Sequence, residues 1–96
     1  MKLYEVIWKE QYLAKLEVKH DVYPDEVEAV LFQNPVVLRA ERGHIKGEDL
    51  YFAYGQTEEG RYLMVLFVYK GQARALPISA RDMTTEERRH YERQRR

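Results

Sequence analysis

One uninterrupted apolar segment constrains the fold of this chain more than any other feature. Residues 62–69 read YLMVLFVY, and Gly60 and Gly71 flank them. The segment is too short for a membrane-spanning helix, which needs about 20 apolar residues, and its aromatic and branched side chains favour a strand. Because neither side-chain face is polar, we expect a central strand that the rest of the chain covers on both sides.

The sequence on either side of this strand predicts both helices and strands. Further strands are expected at Leu3–Trp8, Val36–Glu41, Leu50–Tyr54 and Ala73–Ser79, and Pro77 implies that the last is an edge strand or carries a bulge. Helices are expected at Lys9–Lys19, from Pro24 to the Asn34-Pro35 stop, and after the capping-box pattern Thr84–Glu87. A polar loop is expected at 42–48.

Short turns between the late strands imply antiparallel pairing. We therefore predict an α+β fold, with an antiparallel sheet of about four strands, two N-terminal helices and one C-terminal helix, as a single domain over residues 1–96.

Composition narrows the class of protein. Hydrophobic residues make up 45% and charged residues 33% of the chain, which is typical of a globular domain, and cysteine is absent. The three histidines lack metal-ligand spacing, and no glycine-rich phosphate loop is present. These two absences lead us to expect neither a metal nor a cofactor. Since no signal-peptide pattern opens the chain, we also expect a soluble cytoplasmic protein.

Charge is distributed unevenly along a chain whose net charge is zero. Residues 1–60 carry 7 Lys/Arg and 12 Asp/Glu, a balance of −5, whereas residues 61–96 carry 9 and 4, a balance of +5. The basic half is almost entirely arginine, whose planar fork suits phosphate. Two interpretations stay open: a basic face that meets RNA, or two halves that pair with each other in the fold.

These residue types leave metal-free acid–base cleavage of RNA as the enzyme chemistry to consider. Attack by the 2′-hydroxyl needs a base for its proton, cations for the charge on phosphorus, and an acid for the departing 5′-oxygen. Composition by itself does not assign this chemistry, because many small domains contain the same side chains.

Four segments occur in a characteristic order after Trp8. They are KHDV at 19–22, DEVEAV at 25–30 with FQNP at 32–35, YGQ at 54–56 with GRYL at 60–63, and ISAR at 78–81 with Met83-Thr84, Glu87-Arg88 and Tyr91-Glu92. Together they resemble the BrnT family of toxins from bacterial type II toxin–antitoxin pairs. The resemblance implies a RelE-like fold and a metal-independent ribonuclease activity. It also implies a cognate antitoxin of ribbon-helix-helix type, which binds DNA, so that the toxin contacts DNA only indirectly.

The resemblance also points to site residues. We expect catalytic roles for His20, Arg61 and Arg81, and substrate contacts from Lys19, Ser79 and Tyr91. Glu41, which lies outside the matched segments but near a predicted strand end, is a weaker candidate for the catalytic base. Both arginines lie near predicted strand ends, from which their side chains can converge on one cleft.

Each of these residues also has a structural interpretation. His20 and Lys19 could stabilise a helix C-terminus, and the two arginines could form salt bridges with acids of the first half. Glu41 could be a surface carboxylate, and Ser79 could hydrogen-bond to backbone groups. Tyr91 could pack the last helix on the sheet. Only one of His90 and Tyr91 can face the sheet, because helical neighbours point about 100° apart. Trp8 suits the core, and Arg93, Arg95 and Arg96 suit a solvated tail.

The sequence departs from residues common in the family at four positions, Lys9, Leu16, Asp21 and Leu50. These departures leave two other functions open. One is a catalytically weak or inactive module that binds an antitoxin or RNA, and the other is an RNA-binding accessory protein without an antitoxin.

Overall fold

The computed structural model describes residues 1–41 and 49–95, so the predicted loop at 42–48 lies outside the described residues. Five strands and three helices follow in the order β1 (Glu5–Val6), α1 (Glu10–His20), α2 (Pro24–Phe32), β2 (Val36–Glu41), β3 (Asp49–Gln56), β4 (Tyr62–Tyr69), β5 (Arg74–Asp82) and α3 (Thr85–Gln94). The predicted helices therefore form close to their expected bounds.

The strands form one sheet in the order β1-β5-β4-β3-β2. The central position predicted for β4 is confirmed, because β3 and β5 both pair with it antiparallel. The expectation of about four strands in an antiparallel sheet is wrong, since a fifth strand, β1, joins the edge parallel to β5. A parallel neighbour requires a long crossover, and here helices α1 and α2 with strands β2 to β4 make the connection.

The opening strand is much shorter than the predicted segment Leu3–Trp8. Only Glu5 and Val6 pair with β5, although the amide of Ile7 also donates to the carbonyl of Ala75 at 2.8 Å. Leu3 is buried at 3% exposure without a strand partner. The apolar residues of segment Leu3–Trp8 therefore reflect burial in the core more than pairing in the sheet.

The two faces of the sheet are covered by different helices. On one face, α1 and α2 pack on Leu63, Val65 and Phe67 of β4. On the other face, Tyr91 of α3 packs on Met64 of β4. Burial on both sides of β4 explains its continuous apolar sequence.

The last strand carries the irregularity that Pro77 predicts. Leu66 pairs with Ser79 and Phe67 pairs with Pro77, so the register shifts by one residue at Ile78. As a consequence, Ala75 and Ala80 both lie in the core beneath α1 and α2, although they are an odd number of residues apart.

Candidate functional site

Arg61, which directly precedes β4, donates every N–H of its guanidinium to the protein. Its Nε donates to Asp82 Oδ1 at 2.8 Å and its Nη2 to Asp82 Oδ2 at 3.3 Å. The other N–H groups reach the carbonyl oxygens of His20 at 3.2 Å and Asp21 at 2.7 Å, and Glu26 Oε1 at 3.1 Å. Because a guanidinium has five N–H donors, none is left for a ligand in this conformation.

The Arg61 contacts form an electrostatic clamp between three elements. The hydrogen bond from Arg61 lowers the pKa of Asp82, and Asp82, followed by Glu26, raises the pKa of Arg61. The clamp joins the end of α1, the first turn of α2 and the end of β5. The structure thus shows the salt bridge to an acid of the first half, and a catalytic role for Arg61 stays a prediction.

Arg81 lies on β5 and binds a different carboxylate. Its Nη1 and Nη2 donate to Glu87 Oε1 at 2.8 Å and Oε2 at 3.0 Å, and Nη1 also donates to the carbonyl of Asp82 at 3.0 Å. In the part of the chain that the structure describes, its Nε–H and one Nη2–H have no acceptor. With a side chain 38% exposed, Arg81 is oriented by Glu87 and still has donors for an anion.

The predicted convergence of the two arginines on one cleft does not occur. Arg81 lies opposite Met64, on the face covered by α3, whereas Asp82 lies opposite Leu63, on the face covered by α1 and α2. Arg61 binds Asp82 and therefore belongs to the second of these faces. The sheet itself separates the two guanidinium groups.

The capping box predicted for the last helix holds Glu87 in position beside Arg81. The Glu87 amide donates to Thr84 Oγ1 at 3.1 Å, and the Thr84 amide donates to Glu87 Oε1 at 2.8 Å. The hydrogen bond from Arg81 is the main cause that lowers the pKa of Glu87. Glu87 is therefore an ionised carboxylate at neutral pH that caps the start of α3 and orients Arg81.

Tyr54 is a site residue to which sequence reasoning gave no role. It faces α3 next to Met64, on the opposite side of that residue from Arg81. Burial, followed by the charge of Glu87, raises the pKa of Tyr54, while Arg81 lowers it. Its place in the YGQ segment was the one signal in the sequence that could have identified it.

The remaining predicted site residues fall on both sides of the sheet. Ser79 is half-buried two residues before Arg81, and Tyr91 is buried against Tyr54 and Met64. His20 is the last residue of α1, where it lies beside Arg61, and Lys19 is exposed on the same last turn.

Glu41 is the last residue of β2, the strand at the sheet edge opposite β1. Three of the predicted site residues lie on the face covered by α3, namely Ser79, Arg81 and Tyr91. His20 and Arg61 are in contact on the face covered by α1 and α2.

Aromatic and cationic contacts fasten α3 to the sheet. The Tyr62 hydroxyl donates to Glu92 Oε1 at 2.6 Å, and the rings of Tyr62 and Tyr91 meet edge to face at 6.0 Å between centroids. The guanidinium of Arg88 lies 4.0 Å over the centre of the Tyr62 ring. Arg95 is exposed as expected, and it also donates to Gln56 Oε1 at 3.0 Å.

We expected only one of His90 and Tyr91 to face the sheet, and both side chains are at least partly buried. Tyr91 is 7% exposed and packs on the sheet, which confirms its packing role. His90 is half-buried, and its Nε2 is buried without a hydrogen-bond partner among the residues described. His90 thus lies at the edge of the helix face that packs on the sheet, with one ring nitrogen shielded from solvent.

The side of the protein that carries α1 and α2 has an acidic groove of about 610 Å³ between α2 and the turn before β4. Its charged lining consists of Arg61 and six carboxylates, Asp21, Asp25, Glu26, Glu28, Glu58 and Glu59. Since Arg61 is already paired, this groove repels a polyanion such as RNA.

Two further findings concern residues 1–41 and 49–95. Within these ranges, no three histidine, aspartate or glutamate residues are grouped so that they could hold a metal ion. None of the helices in the same ranges has the length and apolar character needed to cross a membrane.

Comparisons with known proteins agree with this architecture. A family model described as the ribonuclease toxin BrnT of a type II toxin–antitoxin system matches residues 8–87. The 1.1 Å crystal structure of the Brucella abortus ribonuclease toxin BrnT is similar at a TM-score of 0.65 and 20% identity, over 84% of this chain and 97% of that chain. A comparison with curated proteins finds no match.

Proposed function

Because this chain belongs to the BrnT family of ribonuclease toxins of type II toxin–antitoxin systems, we propose that it is an endoribonuclease that cleaves RNA without a metal ion. In the same proposal, the enzyme has a RelE-like fold, acts in the cytoplasm, and is neutralised by a cognate antitoxin of ribbon-helix-helix type. Five strands in one sheet with three helices support this assignment at the level of the fold.

The observation that carries the proposal is the position of Arg81. Glu87 holds its guanidinium through two hydrogen bonds of 2.8 and 3.0 Å, while two further N–H groups are not used within the described chain. A charged donor that is already oriented stabilises developing negative charge without reorganisation during the reaction. Arg81 is therefore the residue to bind the non-bridging oxygens of the scissile phosphate.

Proton transfer is assigned to the side chains next to Arg81. In the reaction, the 2′-oxygen bonds to phosphorus, the bond from phosphorus to the 5′-oxygen breaks, and a 2′,3′-cyclic phosphate forms. Glu87 is the candidate to accept the 2′-hydroxyl proton, because it is the carboxylate in direct contact with Arg81. Tyr54 is the candidate to protonate the 5′-oxygen, because it is a protonated phenol on the same face of the sheet as Arg81.

Residues on the other face support the site indirectly in this proposal. Arg61 holds the end of β5 through Asp82, next to Arg81 in the chain. It is thus a positioning residue, and catalytic roles for His20, Arg61 and Glu41 stay predictions. Lys19, Ser79 and Tyr91 stay predicted substrate contacts, and the last two lie on the same face as Arg81.

The test is cleavage of a single-stranded RNA by the purified protein in the presence of a metal chelator. We expect cleavage with a cyclic phosphate product, and a loss of about 100-fold or more in Arg81→Gln, the typical effect of losing one charge-stabilising donor. Tyr54→Phe should lose a factor of 100 or more through the absent proton donor.

A suitable control is Arg39→Gln. Arg39 is also an arginine in an ion pair, 2.8 Å from Asp49, and it lies on the edge strand β2. It should retain parental activity. If a folded parent protein binds an antitoxin but cleaves no RNA, the chain is a non-catalytic interaction module and the proposed activity is refuted.

A further inference from the structure

The arginines of α3 fall into two groups. Arg95 is engaged by the protein, because it pairs with Glu92 at 3.4 Å and donates to Gln56. Arg88, Arg89 and Arg93 form no ion pair or hydrogen bond with any residue in the described ranges. Three cations thus share one short helix without local compensation of their charge.

These three arginines surround a shallow groove on the outer side of α3. The groove has a volume of about 390 Å³ and is lined by Thr85, Arg88, Arg89, Glu92 and Arg93. Its single acid, Glu92, accepts the hydrogen bond of the Tyr62 hydroxyl and pairs with Arg95. Three arginines and one glutamate give this lining a net charge of +2.

The arrangement is unfavourable in the isolated protein. Arg89 and Arg93 are four residues apart on a helix, a spacing at which like charges repel each other. An anionic ligand removes this repulsion.

We infer that this groove binds the phosphodiester backbone of single-stranded RNA next to the phosphate held by Arg81. The inference rests on the proposed function and extends it to a second binding site. Glu87, the partner of Arg81, immediately precedes Arg88, so the groove begins where the proposed catalytic site ends. From residue 85 to residue 93 the helix extends about 12 Å, and the groove accordingly offers donors to more than one phosphate.

The chemistry of the lining favours RNA over an acidic protein. Among the described residues, threonine, arginine and glutamate side chains line the groove, whereas a protein interface depends on buried aromatic or aliphatic anchors. The guanidinium carbon of Arg88 lies 4.0 Å over the centre of the Tyr62 ring, and a guanidinium plane is also a surface on which an unpaired base can stack. Arginine forks bind phosphate oxygens in pairs.

The test is the binding of a fluorescent 2′-O-methyl RNA oligonucleotide, which the proposed chemistry cannot cleave, measured by anisotropy over a range of salt concentrations. The variant Arg89→Gln with Arg93→Gln leaves the Arg88–Tyr62 contact in place. The matched control, Lys9→Gln with Lys15→Gln, removes the same charge from exposed positions at the start of and within α1, behind the sheet.

We expect the slope of log K against log salt to fall in magnitude by about 1.4 in the arginine variant, since each phosphate contact with a single strand contributes about 0.7. Affinity at low salt should fall at least tenfold. The lysine control should keep the parental slope and affinity. In cleavage assays the same arginine variant should show a raised KM.

Two outcomes overturn the inference. One is parental affinity and salt slope in the arginine variant. The other is tighter binding of a polyglutamate peptide than of the oligonucleotide, with its loss in the same variant, which would make the groove a protein-docking surface. If the arginine-dependent RNA binding is observed but the parent cleaves nothing, the inference holds and the proposed ribonuclease activity fails.

Discussion

Arg81 and Asp82 are neighbours on β5, but they bind charged partners on opposite faces of the sheet. Arg81 is held by Glu87 of α3, whereas Asp82 holds Arg61 against α1 and α2. The end of this strand therefore couples two charge clusters through one peptide unit. We assign anion binding to the Arg81 cluster, which has free donors, and structural clamping to the Arg61 cluster, which has none.

Replacing Arg61 should reduce stability more than it reduces chemistry. Arg61→Gln removes hydrogen bonds to Asp82, Glu26 and the end of α1, around a side chain that is 26% exposed. We expect a loss of about 2 kcal/mol in the free energy of unfolding, less than for a fully buried ion pair. Urea denaturation measures it, with Arg39→Gln as the exposed ion-pair control that should lose under 1 kcal/mol.

The Arg61→Gln protein, although less stable, should still cleave RNA at urea concentrations below its unfolding midpoint. Complete loss of activity in a fully folded Arg61→Gln sample, with the unfolding midpoint unchanged, would instead assign Arg61 to catalysis and refute its role as a clamp.

The stability of the protein should fall in acid because of two carboxylates. Arg61 lowers the pKa of Asp82, and Arg81 lowers the pKa of Glu87. Unfolded carboxyl groups titrate near pH 4, so the stabilisation is complete above that value and is lost as pH falls through the lower folded pKa values.

The urea midpoint, measured from pH 7 to pH 3, should therefore decrease below about pH 4. The double variant Asp82→Asn, Glu87→Gln should show a shallower decrease than the parent, even if it starts from a lower stability. An identical pH profile in both proteins would show that other carboxylates are responsible.

Gly55 is required for the close approach of β3 to α2. A Cβ atom at this position would lie 2.9 Å from Val30 Cγ1, which is too close for van der Waals contact. Gly55→Ala should therefore reduce stability by about 1–3 kcal/mol through overpacking. Val30→Ala removes the opposing methyl groups, so the same glycine substitution should cost markedly less in that background. Equal costs in both backgrounds, measured by urea denaturation, would contradict steric overlap as the cause.

Asp21 occupies a backbone conformation that favours glycine. It follows the last residue of α1 with a φ of 52°, and the Val22 amide donates to the carbonyl of Leu16 across it. Asp21→Gly should stabilise the protein by about 1 kcal/mol, since glycine adopts left-handed backbone geometry without a Cβ clash. The carbonyl that accepts from Arg61 is retained.

Thermal unfolding should detect this gain as a higher Tm. Asn34, with a φ of 50°, provides the comparison, because asparagine tolerates this conformation better than most residues. Asn34→Gly should gain less than Asp21→Gly, and the reverse order would show that the Asp21 side chain is stabilising in its own right.

Local sequence determined most of the secondary structure of this protein. The apolar run at 62–69 forms the central strand, and Thr84 with Glu87 begins the last helix through the predicted reciprocal hydrogen bonds. Such features depend on residues close in the chain, and side-chain periodicity and capping chemistry are sufficient to identify them. The parallel pairing of β1 was not predictable in this way, because its partner is nearly 70 residues away.

Only the tertiary structure decided which arginine faces which cluster. The side-chain faces of β5 follow from its register with β4, and the one-residue shift at Ile78 exchanges those faces between the two halves of the strand. Pro77 indicated that a bulge was possible, but its position depends on packing against β4. Arg81 therefore faces α3, and Arg61 faces the other side, because of a register that long-range pairing alone establishes.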